Sequence, residues 1–173
     1  NFYLSAADRH AATFDEAVEL VTEVATDETG AQARLAQDSE LLRDALKQAG
    51  DPALMLLYWE MQSFEKDYLV TRQRPYMQSA FNVAGPLREA IADSPAFDGD
   101  ERAKALAYLD DYLVVAEEIL LLDVQIGSKL TEFDLQAQAV DPISEELIAL
   151  ADAETQRARE RIIRTSQLAT TLL

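Results

Sequence analysis

Residues 64–77, FEKDYLVTRQRPYM, bring arginines and tyrosines together in an otherwise acidic chain. Arg72 and Arg74 are separated by one residue, and Tyr68 and Tyr76 flank them. A guanidinium group can donate two parallel hydrogen bonds to a carboxylate, so arginine is well suited to binding organic acids. The stretch therefore predicts a carboxylate-binding site in which Arg72 and Arg74 contact the ligand and Tyr68 and Tyr76 form its walls.

The same stretch also fits a purely structural role. Glu65, Lys66 and Asp67 are charges of the kind that solvated helix surfaces carry at helical spacing. Arginines near the end of a helix can donate hydrogen bonds to its last carbonyl groups. The residue types alone leave both interpretations open.

Metal and nucleophile chemistry has little support in the remaining residues. His10 is the only histidine, and there is no cysteine. A di-iron bundle takes one histidine from each of two Glu-x-x-His motifs, and a three-histidine zinc site needs three. Gly-rich phosphate loops and a nucleophile elbow are also missing from the sequence. We therefore predict no catalytic residue, no metal, no cofactor and no enzymatic activity, with His10 as an ordinary helix residue.

The net charge argues against one class of partner. Fifteen basic and 32 acidic residues give a formal charge of −17. Such a chain repels nucleic acid phosphates, so no nucleic acid partner is predicted. An acidic surface of this kind either attracts a cation or a basic partner, or is simply solvated.

Helical periodicity dominates the elements that would position these residues. In the first segment, apolar residues from Phe14 to Leu46 follow one heptad frame, which continues through Gly30 without a slip. The simplest interpretation is one long helix to about Ala49. A turn at Thr29-Gly30 is the alternative, because glycine often ends helices.

Glycine and proline mark further helix boundaries. Gly50-Asp51-Pro52 combines a helix stop, a cap and a first-turn proline. The segment SPAFDGD, residues 94–100, predicts a loop. Gly127-Ser128 and Asp141-Pro142 are candidate breaks later in the chain, but the apolar frame crosses both, so the pattern does not decide between them.

The opening stretch itself contains a slip in the apolar frame. One stripe runs from Leu54 to Tyr68 and the next from Met77 to Ile91, with two extra residues between their frames. Two residues rotate a helix face by roughly 200°, so one straight helix cannot bury both stripes. Because Pro75 disfavours helix at the preceding residue, we predict a bend, bulge or turn at RQRP.

These features predict an all-α protein, since no β-strand alternation is present. The predicted architecture is an elongated antiparallel up-and-down bundle of four long kinked helices, with residues 1–173 forming a single domain. Six helices in two stacked modules are the alternative. No apolar run approaches the roughly 20 residues that span a bilayer. The chain starts at Asn1 without methionine or signal peptide, so it is expected to be an excised part of a longer protein.

Two groups of residues resemble a known family. The run Glu65-Lys66-Asp67-Tyr68-Leu69 is similar to a motif of bacterial helical sensor domains of the helical bimodular and four-helix types. In those domains a glycine-containing turn follows, where this chain has RQRP. A second similarity lies in residues 108–147, where the matching positions are Tyr108, Tyr112, Gly127 and Pro142.

The resemblance implies a periplasmic signal-sensing domain of a transmembrane receptor, with flanking transmembrane helices in the parent protein. A two-component sensor histidine kinase is preferred as the parent over a chemoreceptor. Family ligands are small organic acids or a periplasmic binding protein, and we expect a homodimer because heptad-patterned helices often leave an apolar seam for a second copy. A cytosolic helical scaffold or adaptor protein is the competing interpretation.

Overall fold

The computed structural model describes the backbone of residues 2–25 and 29–171, and the side chains of residues 8–25, 29–138, 145, 146 and 148–160. These residues form helices and no strand, so the predicted all-α class is confirmed. Five helices are present in the described chain: α1 Phe2–Ala25, α2 Ala31–Ala49, α3 Pro52–Thr71, α4 Arg74–Asp93 and α5 Gly99–Thr171.

The first long helix of the prediction is divided in two. Gly30 adopts an extended conformation, with φ −66° and ψ 162°, and it is the N-cap of α2. The expectation of one helix to Ala49 is therefore wrong, and the alternative turn at Thr29-Gly30 is confirmed. Gly30 and Ala31 are both buried, so the break lies where the chain packs closely against its core.

The boundary between α2 and α3 has the chemistry that its sequence predicts. Gly50 has a left-handed φ of 71°, and its N–H donates to the carbonyl oxygen of Lys47 at 3.1 Å. The Asp51 side chain accepts a hydrogen bond from the backbone N–H of Ala53 at 2.9 Å, and Pro52 occupies the first turn of α3. The end of α2 and the start of α3 are thereby both capped within three residues.

Two other predicted features have definite outcomes. The RQRP segment interrupts the helix between Thr71 and Arg74, which confirms the predicted bend. The loop after α4 is also present, and it is held by Arg102, which donates to the carbonyl oxygens of Ser94 at 2.8 Å and Phe97 at 3.2 Å. Helix α5, in contrast, passes through both undecided positions, so neither Gly127 nor Pro142 ends it.

The chain divides into two compact units, and the larger one comprises residues 16–128. Within it, α3 and α4 are joined by two residues and pack against each other. Its core is formed by fully buried side chains from α2 to α5, the largest of which are Leu35, Leu42, Leu46, Leu54, Tyr58, Met61, Tyr68, Met77, Leu87, Ile91, Leu109 and Tyr112. This unit contains all four predicted ligand-contact residues.

The smaller unit comprises residues 1–15 and 129–173. There the His10 ring lies 3.9 Å from the Phe133 ring, centroid to centroid, and the Gln136 amide donates to Thr13 Oγ1 at 3.1 Å. His10, on helix α1, thus packs against Phe133. A single domain over residues 1–173 stays a prediction. In the described part of the chain, no helix is apolar over a long enough stretch to cross a bilayer.

Candidate functional site at the break between α3 and α4

Arg72 has an uncommon backbone conformation at the centre of the predicted site. Its φ is 55°, and no other non-glycine residue among those described has a positive φ. As the C-cap of α3, its N–H donates to the Tyr68 carbonyl oxygen at 2.7 Å, which closes the helix as glycine usually does. An arginine in this conformation is strained, and such strain concentrates at functional sites and switch regions.

The Arg72 side chain is paired with a carboxylate of the chain itself. Its Nη1 atom lies 3.2 Å from Asp123 Oδ2 and 3.4 Å from Asp123 Oδ1, so it reaches from the helix break to α5. The guanidinium carbon also lies 6.0 Å from the centroid of the Tyr68 ring, at the outer limit for a cation–π contact.

Tyr68 completes this cluster from the core side. Its side chain is buried, and its hydroxyl donates a hydrogen bond to the Asp123 carboxylate. Burial raises the pKa of the Tyr68 phenol, and the hydrogen bond to the negatively charged Asp123 raises it further. Tyr68, Arg72 and Asp123 therefore form one charge-assisted network between the end of α3 and α5.

The other two predicted residues lie apart from this cluster. Arg74 is the first residue of α4 and is exposed, whereas Tyr76 is half-buried and packs against the core of the larger unit. Of the four predicted site residues, the structure thus brings together Tyr68 and Arg72, and both of them contact Asp123. A carboxylate ligand held by Arg72 and Arg74, with Tyr68 and Tyr76 as walls, stays a prediction.

Sequence reasoning missed Asp123. It is one of 32 acidic residues, and its local sequence, LLDVQ, has no feature that separates it from other helix carboxylates. Its role depends on packing, because α5 places it opposite a residue 51 positions earlier in the chain. Only the direction of the Tyr68 and Arg72 side chains could have suggested a carboxylate there.

Arg74 borders a groove between α4 and α5. The groove has a volume of about 800 Å³ and lies entirely within the larger unit. It is lined by Arg74, Gln78, Phe81, Ala84, Gly85 and Arg88 from α4, and by Leu113, Glu117, Leu120, Leu121 and Val124 from α5. The lining combines apolar side chains with the charged side chains of Arg74, Arg88 and Glu117.

A second polar cluster is buried in the core. Glu65 on α3 is 6% exposed and accepts a hydrogen bond from the Gln62 amide. Burial raises the pKa of the Glu65 carboxyl, while the nearby Tyr112 hydroxyl and the hydrogen bond from Gln62 act in the opposite direction. Burial also raises the pKa of the Tyr112 phenol, and the negative charge of Glu65 adds to this effect.

Metal-ligand geometry does not occur among the side chains that the structure describes, where no group of three or more His, Asp or Glu residues is placed to hold an ion. Comparisons with protein-family models, with curated proteins and with solved structures give no match for this chain. The resemblance to helical sensor domains therefore rests on the short motifs in residues 65–69 and 108–147.

Proposed function

We propose that this chain is the periplasmic signal-sensing domain of a bacterial transmembrane receptor, with a two-component histidine kinase as the parent in preference to a chemoreceptor. The domain itself performs no catalysis in this proposal. It binds a small organic acid or a periplasmic binding protein, acts as a homodimer and is flanked by transmembrane helices in the parent. An antiparallel four-helix arrangement, or six helices in two modules, belongs to the same proposal.

The observation that carries the proposal is the Tyr68–Arg72–Asp123 network. It connects the strained break between α3 and α4 to α5, the last helix among the described residues. Helix displacements in receptors and allosteric proteins are typically about 1–2 Å. A shift of that size exceeds what hydrogen bonds of 3.2–3.4 Å tolerate, so a helix displacement of this kind would break the network.

The mechanism follows from this connection. A ligand carboxylate or an acidic partner surface at the break competes with Asp123 for the Arg72 guanidinium. When Arg72 leaves Asp123, the Tyr68 hydroxyl is the remaining donor to that carboxylate, and the restraint on α5 weakens. The resulting displacement of α5 passes to the output module through the membrane.

A topology experiment on the native full-length gene product tests the proposal. Alkaline phosphatase is active only outside the cytoplasm, and the exposed residues Pro95 and Ala96 in the loop after α4 provide an insertion point. We expect an active fusion there and an inactive β-galactosidase fusion at the same site. An active β-galactosidase fusion would place the domain in the cytoplasm and refute the receptor proposal.

A cytosolic scaffold or adaptor protein is the second candidate. Large apolar side chains on α5 are exposed, including Val114, Leu121, Val124 and Leu135. Exposed apolar residues that recur along one helix favour docking of another protein. The same fusions discriminate between the two candidates, because a scaffold requires the opposite reporter result.

A further inference from the structure

We propose that the groove between α4 and α5 binds an amphipathic monocarboxylate, such as a medium-chain fatty acid, with its carboxylate on Arg74 and its hydrocarbon tail against the apolar side chains that line the groove. The sensory meaning of this binding rests on the proposed function, but the binding itself does not.

The size and lining of the groove fit a ligand of this kind. Its volume of about 800 Å³ lies within the range of about 300–1,000 Å³ that is typical of small-molecule sites. Phe81 from α4 and Leu113 and Leu120 from α5 are half-buried apolar residues in its lining. Leu121 and Val124 are 58% and 59% exposed, so a hydrocarbon tail would remove substantial apolar surface from water.

The charged side chains in the lining define the polar end of the ligand. Among the described residues, Arg74 makes no ion pair, whereas Arg88 is paired with Asp110. One guanidinium group is therefore available to an anion, and it lies at the first residue of α4.

Glu117 restricts the ligand to a single negative charge. It lies on the α5 side of the groove, so a second carboxylate on the ligand would meet a negative side chain. The net charge of −17 adds to this repulsion. A di- or tricarboxylate is disfavoured on both counts, and an alkyl cation would lack a partner at Arg74.

The position of the groove links it to the network at the helix break. Leu121 and Val124 line the groove, and Asp123 lies between them on α5. A tail that packs against Leu121 and Val124 therefore acts on the same turn of α5 that Arg72 and Tyr68 hold.

Isothermal titration calorimetry with decanoate, below its critical micelle concentration, tests the proposal on the purified chain. Decylamine and succinate serve as comparison ligands that lack the anionic head or the long tail. The variants are Arg74→Ala and Leu121→Glu, each checked for native helix content by circular dichroism. Arg43→Ala, which removes an arginine from α2, and Leu56→Glu, at a leucine that is 73% exposed on α3, are matched controls outside the groove.

We expect decanoate to bind more tightly than decylamine and succinate. Arg74→Ala removes a charge-assisted contact, which corresponds to a loss of roughly 10- to 100-fold in affinity. Leu121→Glu should weaken binding as well, while both controls retain wild-type affinity.

The proposal is overturned if decanoate does not bind, if Arg74→Ala binds it as tightly as wild type, or if Leu56→Glu weakens binding as much as Leu121→Glu. None of these outcomes affects the reporter fusions, so failure here is distinct from failure of the receptor proposal.

Discussion

At the scale of single residues, the buried Glu65 carboxyl lowers the free energy of unfolding when it is charged. Its burial disfavours the charged form and raises its pKa in the folded protein above that in the unfolded chain. The folded state therefore binds the proton more tightly, and Glu65 lowers the free energy of unfolding most at pH values above its folded pKa. This penalty decreases as the pH falls through the folded pKa, and it vanishes below the unfolded value of about 4.3.

Glu65→Gln should accordingly stabilise the protein at neutral pH. Glutamine keeps an acceptor oxygen for the Gln62 amide without a charge to desolvate. We expect a higher free energy of unfolding than wild type in urea titrations at pH 8, and a difference that narrows as the pH approaches about 4.3. Glu60→Gln, at an exposed position of the same helix, is the control and should change stability by less than about 0.5 kcal/mol. A gap between Glu65→Gln and wild type that widens on acidification would contradict this account.

The Tyr68–Asp123 hydrogen bond should appear as an energetic coupling between the two residues. A double-mutant cycle with Tyr68→Phe and Asp123→Asn removes the phenol donor and the carboxylate charge separately and together. Because the hydroxyl is buried and the acceptor is charged, we expect a coupling energy of about 0.5–3 kcal/mol in urea unfolding. Strict additivity would mean that the contact contributes nothing to the folded state. It would remove the physical basis for a restraint on α5.

At the scale of elements, the helix ends carry local signals of very different strength. Gly50-Asp51-Pro52 was predictable because the left-handed glycine, the capping carboxylate and the proline each act within three residues. The break at RQRP was predictable because the apolar frame slips there. Its conformation was not predictable, since arginine rather than glycine takes the left-handed position at residue 72.

The break at Gly30 shows where pattern reasoning fails. An unbroken heptad frame passes through it, yet Gly30 is extended and buried, and α2 begins only after it. Tertiary packing overrides periodicity at this point. For the same reason the sequence could pair Tyr68 with Arg72 but could not find Asp123, whose partners are more than 50 positions away.

The left-handed backbone at Gly50, which ends α2, predicts that a side chain at this position destabilises the fold. Gly50 has a φ of 71°, and a Cβ added there meets nothing within 4 Å, so a substitution introduces backbone strain and no clash. We expect Gly50→Ala to lower the free energy of unfolding by about 1–2 kcal/mol in urea titrations. Gly99→Ala, where a Cβ also has open space but φ is not left-handed, is the matched control and should cost much less. Equal losses at both positions would show that the left-handed conformation is not what Gly50 supplies.

At the scale of the whole chain, the excess of acidic residues sets how stability depends on salt. A net charge of −17 on 173 residues favours expansion of the chain, because compaction brings like charges closer together. The ion pairs between helices, such as Arg34–Glu118 and Arg88–Asp110, have partly exposed side chains and contribute little to offset this repulsion. Salt weakens both effects, but repulsion involves far more charge pairs.

Stability should therefore rise with ionic strength. Between about 0.01 M and 0.15 M salt the screening length falls from about 30 Å to about 8 Å, which reduces repulsion among charges across the chain. We expect a higher midpoint of urea unfolding in 0.15 M sodium chloride, and the same increase with choline chloride if the effect is screening and not specific cation binding. Sedimentation measured at both salt concentrations tests the predicted homodimer in the same samples, since like-charged copies should also associate more tightly at the higher concentration. A midpoint that falls with salt would mean that ion pairs outweigh repulsion, and the acidic surface would then be a source of stability instead of a cost.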